Sequence, residues 1–498
     1  MNRLMRLTRG VRPGICAVLI LAGALPFTGC AVGPKYKRPT APVPPAYKEM
    51  GNWKTAQPNE QNLGGNWWEL FQDAQLNALE QQINVSNQNL KAAVAQYQQS
   101  RAALRYVRAD YYPTVGAAPA ATRDGYSNNR PPRSSTFDGI TFNDFVLPVN
   151  FSYQANAWGR VSRNVESYRE QAQASAADLA VVNLSMHAAL AVDYFAARSL
   201  DAEEKLLQDT VAQYEQAFQL NEDRYEGGLG SEVEVEQART ILETTRAQMV
   251  DVGVARAQYE HAAAVLVGKT PADFNLPPLP LTAPPPPIPV GIPSTLLERR
   301  PDITAAERRV AAANAQVGLA ETAYYPLVNI AGSGGFESGS ISTLLQGPSA
   351  LWSVGSSALV TLFDAGRRRA GNDQAKASYD SSVASYRETV LTAFQQVEDD
   401  LAALRTLQQE AGVQATAVEA AQRSLSLSNT RYEGGVTSYL EVITAQNAAL
   451  ADEVTAVNIL GRRMANAVLL IQALGGGWDS AGLPQRPECC GKLARSSN

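Results

Sequence analysis

The chain has 498 residues, 45% of them hydrophobic but only 7% aromatic, and a formal net charge of −5. That length sets a prior of about three domains; the apolar share can fill a large core, and the shortage of aromatics favours closely packed helices. The acidic balance argues against a nucleic-acid partner.

The N-terminus reads as a targeting segment. Arg3, Arg6, Arg9 and Arg12 stand without an acid before the apolar run Ile15–Leu25, which is too short to span a bilayer as a helix and fits a signal-peptide core. Thr28 and Gly29 then precede Cys30, as in a lipobox, so residues 1–29 are expected to be removed and Cys30 lipidated. Ordinary cleavage leaving a free Cys30 is the alternative. No Asp follows Cys30, so the expected destination is the outer membrane. Losing the four arginines takes the net charge from −5 by four more to −9. Cys489 and Cys490 are adjacent in a Pro/Gly-rich tail, where a mutual disulfide would be a strained ring. His187 and His261 sit in alanine-rich helical stretches without companion ligands and read as filler, not metal sites. Apart from the covalent lipid, no cofactor and no metal is expected. No segment beyond the leader reads as a transmembrane helix.

The rest of the chain repeats itself. Tyr225 and Tyr432, in two copies of the stretch Arg-Tyr-Glu-Gly-Gly, stand 207 positions apart, as do Gly159 and Gly366; Pro113 and Pro326, each ending a Tyr-Tyr-Pro, stand 213 apart. Three landmarks in one order mean two halves of one design, separated by six residues of loop difference. The layout is a lipidated extended segment (30–66), repeat one (67–275), a proline-rich linker (276–293), repeat two (294–477) and a tail (478–498). Each half begins with a helix that stops at Tyr-Tyr-Pro, where proline forbids continuation. A strand pair follows: in 147–154, Leu147, Val149, Phe151 and Tyr153 alternate with Pro148, Asn150, Ser152 and Gln154. The glycine corner then opens a very long helix with heptad spacing, through Leu207, Val211, Tyr214, Phe218 and Tyr225 in one half and Val390, Phe394, Val397, Leu401 and Leu404 in the other. From corner to Arg-Tyr-Glu-Gly-Gly is roughly 65 residues, on the order of 100 Å if helical throughout. A second long helix follows the glycines, so each glycine pair is the tip of an antiparallel helical hairpin.

About four strands cannot close a membrane barrel, the smallest of which have about eight. Closure therefore demands several protomers, and three would supply twelve strands and twelve helices; a soluble sheet capping a coiled coil is the competing reading.

Three stretches, residues 30–39 (CAVGPKYKRP), 297–326 and 431–448 (RYEGGVTSYLEVITAQNA), resemble the outer-membrane factor (TolC-type) family, and the acylated start points to its NodT-like lipoprotein branch. The resemblance covers nearly all of the mature chain, to about Gly477. It implies a mainly helical fold, with a trimeric twelve-stranded β-barrel in the outer membrane continued by a periplasmic tunnel of helices. It implies a homotrimer that is the passive exit duct of a tripartite efflux pump, docked to a periplasmic adaptor and an inner-membrane transporter. Gly228, Leu229, Gly230 and Ser231, with Gly435, Val436, Thr437 and Ser438, match the tips that adaptors contact. Leu440 and Glu441 match lumen-facing gate positions, and the repeat register puts Val233 and Glu234 at the same places in hairpin one. Thr444 and Gln237 stand where relatives often carry a second carboxylate, and Asn156-Ala157-Trp158-Gly159 departs from the usual Asp-Leu-Trp-Gly. Glutamates converging on a narrow mouth would repel one another; Arg224 and Arg431 are placed to pair with them across neighbouring hairpins and hold the mouth shut. The plainer reading, carboxylates in a first helical turn favoured by the dipole, stands level with the gate for Glu234 and behind it for Glu441.

No phosphate-binding loop, metal-ligand spacing or catalytic triad is present in the sequence, so no enzyme activity is expected. The competing function is a lipid-anchored periplasmic structural or adhesive coiled-coil protein, or an adaptor subunit. The exported substrate is not written in the residues.

Overall fold

A computed structural model describes residues 32–50, 65–127, 141–288, 290 and 296–480. The leader, Cys30 and the two C-terminal cysteines lie outside them. The helices are α1 (Ala74–Ser86), α2 (Gln88–Arg108), α3 (Arg160–Glu226), α4 (Glu232–Leu266), α5 (Leu296–Arg299), α6 (Pro301–Glu321), α7 (Arg367–Glu433) and α8 (Tyr439–Ala473). The strands are β1 (Thr114–Ala117), β2 (Ala120–Gly125), β3 (Thr141–Gln154), β4 (Leu327–Ser338) and β5 (Ala350–Leu359).

The repeat is realised residue for residue. Helices α3 and α7 are both 67 residues long, and α4 and α8 are both 35. The glycines that open and close these helices, Gly159, Gly228 and Gly268, adopt positive φ (79°, 73°, 73°), as do Gly366, Gly435 and Gly475 (87°, 70°, 93°). Only glycine takes that conformation without strain, which is why the same corners recur in both halves.

The chain divides into two compact units: residues 1–37, 102–170 and 311–380, and residues 38–101, 171–310 and 381–498. The first holds the sheet. β1 and β2 pair with β3 in a single antiparallel register, Thr114 opposite Ser152 and Gly125 opposite Thr141. They are one strand interrupted at Ala118-Pro119: Ala118 N–H still donates to the Pro148 carbonyl at 3.3 Å, but Pro148 of β3 has no N–H to return. The sheet is thus four-stranded, in the order β1/β2–β3–β4–β5, with antiparallel pairing throughout.

Its two faces differ as the alternation predicts. Residues directly opposite share a face, so Val115, Phe151, Gly332 and Val354 form one row, and Ala117, Val149, Gly334 and Trp352 the next. This apolar face is open to the surroundings: Trp352 is 79% exposed and Val354 63%. The opposite face carries Asn150, Ser333 and Ser353 in one row, the two serine hydroxyls 2.8 Å apart. The glycines of β4 are required by packing. A Cβ on Gly332 would stand 2.4 Å from the ring of Phe151, and one on Gly335 would stand 2.1 Å from the carbonyl oxygen of Leu147.

The N-terminal segment is tied to the same unit. Arg163 donates from Nε to the carbonyl of Val32 at 2.9 Å and from Nη2 to that of Gly33 at 3.0 Å. Gly33 lies so close to Gly318 that a Cβ would reach its Cα at 2.4 Å.

The second unit is helical, and the heptad residues form its seams. Leu207, Val211 and Tyr214 are buried, as are Val390, Phe394, Val397, Leu401 and Leu404. Tyr225 departs from the expectation and is 45% exposed, because its repeat partner Tyr432 takes the buried position between the hairpins. Two further expectations are corrected. Helices α3 and α8 are long and apolar enough by composition to cross a membrane; their alanine and valine content serves close helix packing. His187 is not mere filler. It is buried, with Nδ1 2.5 Å from Oε2 of the buried Glu80 and its ring stacked at 4.4 Å on Trp68. Burial pushes Glu80 up to about 9 and His187 down to about 4. His261 is exposed, and no group of three or more metal-ligating residues occurs among the described residues.

Candidate functional site at the hairpin tips

Both tips belong to the second unit, and each ends its long helix in the same way. Gly228 N–H donates to the carbonyl of Tyr225 and Leu229 N–H to that of Arg224, at 2.9 and 2.8 Å. Gly435 and Val436 repeat the pattern on Tyr432 and Arg431, at 3.0 and 2.9 Å. This is the glycine-closed helix end in which the residue after glycine normally packs back on the helix. Here that residue is left outside: Leu229 is 78% exposed and Val436 71%. Val233 and Leu440, the second residues of the next helices, are 64% and 57% exposed. Each tip therefore presents two apolar side chains to the surroundings, with Gly230, Ser231, Thr437 and Ser438 completing the turns.

The charged residues divide by hairpin, although both tips spell Ser-x-x-Glu. In tip one the pattern closes as a capping box: Ser231 Oγ accepts from Glu234 N–H at 3.4 Å, and a Glu234 carboxylate oxygen accepts from Ser231 N–H at 3.2 Å. In tip two Ser438 makes no side-chain cap. Glu441 instead accepts from the Thr437 hydroxyl and pairs with Arg431, Nε to Oε1 3.3 Å.

The arginines differ in parallel. Expected to pair across hairpins, Arg431 pairs within its own. Arg224 does reach the other hairpin, but to a ring: its guanidinium lies 4.9 Å from the centre of Tyr432. Tyr432 is 5% exposed and donates its hydroxyl to Asn221 Oδ1. Burial raises the Tyr432 phenol, with Glu234 raising it further and Arg224 opposing. Tyr432, Tyr439 and Val442 form a small core with Ala238, which binds the two tips into one body.

A groove of about 660 Å³ runs between α4 and α8, lined by Val233, Gln237, Ile241, Leu440, Ile443 and Asn447. It brings the two expected gate leucine/valine positions onto one wall. Thr444 lies on the exposed face beyond it and spends its hydroxyl on the carbonyl of Leu440 at 2.8 Å, so no second acid stands there. The capping box was readable in the sequence as Ser231-x-x-Glu234; the Arg224–Tyr432 contact, 208 residues apart in the chain, was not.

The sequence profile of the "Outer membrane efflux protein" family matches residues 79–269 and 292–476, which contain the sheet strands and both glycine-tipped hairpins. The chain belongs to the outer membrane efflux protein family. It is 31% identical over 477 residues to the outer membrane protein OprJ of Pseudomonas aeruginosa, covering 94% of this chain and 96% of OprJ. It is 29% identical to the cation efflux system protein CusC of Escherichia coli O6:H1 over 467 residues, 93% of this chain and 99% of CusC. Among solved structures, the outer-membrane channel OprN superposes with a TM-score of 0.85 at 29% identity, covering 90% of this chain and all (100%) of OprN. The open state of the Neisseria gonorrhoeae MtrE outer membrane channel gives 0.79 at 25% identity, over 91% and 99% of the two chains. As a member of this family the protein is an outer-membrane component of an efflux system, built as a helical tunnel with a β-barrel. The structural or adhesive coiled-coil reading gives way to this one.

Proposed function

We propose that three copies of this outer membrane efflux protein close into one twelve-stranded barrel and form a passive duct, which opens when an adaptor protein engages the hairpin tips. The observation that carries the trimer is the sheet: four strands, two faces of opposite character, and an open edge on each side, at β1/β2 and at β5. Pairing β5 of one copy with β1/β2 of the next is a head-to-tail contact, and such contacts make rings when the rotation closes. In the ring, Trp352, Val354 and Val149 face lipid, and Asn150, Ser333 and Ser353 face the lumen.

The exposed Leu229 and Val436 supply an apolar docking surface for the adaptor at the tips, and Val233 and Leu440 are the apolar gate positions beside them. The Arg431–Glu441 pair of tip two is the gate element and Glu234 of tip one is a helix cap, so one acidic ring serves the closed mouth. An inner-membrane transporter coupled to that adaptor supplies cargo, and selection happens there. Lipidation of Cys30 anchors the mature chain. The test is planar-bilayer conductance of the purified protein alongside heat-modifiable trimer migration from outer-membrane fractions. Conductance that rises on adding the cognate adaptor is expected; a monomer that conducts nothing after extraction overturns the duct.

A further inference from the structure

All strand ends that lead into helices lie at one end of the sheet. The registers place Thr114 opposite Ser152, Gln154 opposite Asn329 and Leu327 opposite Leu359, so β1, β3, β4 and β5 all meet their helices there. Residues two apart on a strand share a face. Gln154 therefore goes with Asn150, Leu327 with Ser333 and Leu359 with Ser353, all on the polar face. In the duct proposed above, a reading on which the following rests, that face lines the lumen.

Gln154, Leu327 and Leu359 form the sheet side of a hollow of about 300 Å³. Arg160, Arg367 and Arg368 line it beyond the strand ends, with Asp364 as its one acid. Asp364 is already used: it accepts from Arg368 Nε at 2.7 Å and from the backbone N–H groups of Gly366 and Arg368, at 3.1 Å each. The Arg368 bond holds its carboxyl below the usual range. Arg368 also lies over the ring of Tyr324 at 5.6 Å. Arg160 and Arg367 are repeat partners, both exposed, and neither has an ion-pair partner among the described residues. The hollow therefore carries two uncompensated guanidinium groups in each chain.

The far end of the same face has the opposite charge. Asp124, Asp144 and Glu337 stand on it, paired with Phe142, Thr122 and Val146. The one cation among the described strand residues, Arg123, is opposite Asn143 on the apolar face. The rest of the hollow's wall is aromatic, made by Trp158, Tyr324 and Tyr325. The indole of Trp158 donates to the carbonyl of Pro326 at 2.9 Å and lies against Tyr325, ring centres 5.2 Å apart. With its single N–H spent, the indole has only its ring to offer. A volume of about 300 Å³ is at the lower end for small-molecule pockets and suits one ring with its substituent.

We infer that this hollow is a lumenal binding site for a small aromatic carboxylate on its way out, with the carboxylate on Arg160 and Arg367 and the ring against the aromatic wall. Guanidinium forks meet a carboxylate through paired, charge-assisted hydrogen bonds, and a flat ring gains from packing on other rings. An inorganic anion would leave the rings and leucines unused, and an aromatic cation would be repelled by the two guanidinium groups. The transporter still chooses the cargo; the hollow concentrates such anions at the entry to a barrel whose outer end is acidic.

The full-length protein is purified as the assembled channel, and binding of radiolabelled benzoate is measured by equilibrium dialysis, with acetate, inorganic phosphate and benzylammonium as competitors. Benzoate is expected to bind once per chain. Acetate and phosphate should compete about ten-fold less well, lacking the ring, and benzylammonium should not compete. R160Q/R367Q should weaken benzoate by about ten-fold for each arginine, the effect of losing a hydrogen bond to a charged group. R160K/R367K, which keeps the charge without the fork, should retain part of the affinity, and heat-modifiable migration checks that both variants assemble. Unchanged affinity in R160Q/R367Q overturns the site; equal competition by acetate or phosphate makes it a site for small anions only and overturns the aromatic ligand. The reversal potential in a potassium chloride gradient reads the lumenal placement. R160Q/R367Q should shift permeation toward potassium, and benzoate binding without that shift puts the hollow outside the lumen and overturns its role on the exit path. A wild type that conducts nothing strikes the duct and the site with it, whereas one that conducts and binds no benzoate strikes this site alone.

Discussion

Breaking the Arg431–Glu441 pair separates the gate from an ordinary helix-end charge. The two side chains are 55% and 40% exposed and 3.3 Å apart, so the pair is solvent-screened and worth about 0.5 kcal/mol. One such loss barely changes the stability of a chain this size. In the proposed ring the pair occurs three times, and if it exists only in the closed mouth the losses add to about 1.5 kcal/mol, roughly a ten-fold shift toward open. The assay is single-channel open probability in planar bilayers for R431A, E441Q and the double variant. Each single change should raise opening by up to about ten-fold, and the double change should add little, because both remove one interaction. E234A is the internal control: it removes half of a capping box, costs about 0.5–1 kcal/mol of stability, and leaves open probability alone. Variants that assemble like wild type and open no more often would refute the gate and leave Glu441 as a carboxylate in a first helical turn.

Three other outcomes follow from the geometry. Gly335→Val should prevent trimer formation, since its Cβ would meet the backbone carbonyl of Leu147 at 2.1 Å; heat-modifiable migration reads this directly. Gly435→Ala forces a side chain into φ +70° and should cost about 1–2 kcal/mol in thermal unfolding. The Glu80–His187 pair gives a pH dependence. Glu80, raised to about 9, keeps a proton that the unfolded chain releases near 4.5, so it lowers stability as pH climbs through that window. His187, lowered to about 4, refuses a proton that the unfolded chain takes up near 6.5, so it lowers stability as pH falls. E80Q should flatten the alkaline decline, and E80A should cost about 1–3 kcal/mol by leaving a buried ring nitrogen unpaired.

What the sequence disclosed and what it hid follow from how far each feature reaches along the chain. The glycine corners, the heptad seams and the alternation of β3 are local: each is set by φ, by a period of 3.5 or by a period of two. Comparing two copies made them easier still to recognise. The identical Ser-x-x-Glu spellings at the tips do not by themselves disclose which of the two closes as a capping box. Glu441 is drawn off by Thr437 and Arg431 of its own hairpin, while Gly230 stands where tip two has Thr437. What lies beyond local reach is the Arg224–Tyr432 contact, in which Tyr432 rather than Tyr225 takes the buried place. The Glu80–His187 pair was invisible because its members are 107 residues apart and each is unremarkable in its own helix. The first strand of the sheet was legible only in part. The strand falls into two pieces, yet the register shows one ladder, since the single N–H that Pro148 of β3 lacks interrupts pairing without shifting it.

That split strand gives the two edges of the sheet unequal chemistry, and this has a genetic consequence. Edge β5 is an unbroken run of donors and acceptors, whereas edge β1/β2 lacks one donor at Pro119. A chain with a ruined β5 and an intact β1/β2 could still accept a neighbour on its good side and then terminate the ring. Produced in equal amount with the normal chain, it would leave only about one three-membered ring in eight wholly normal, for a single head-to-tail interface repeated around the axis. In the proposed ring, lesions in β5 should therefore be dominant, whereas lesions in the expected leader, residues 1–29, should be recessive if they keep the chain from reaching its partners.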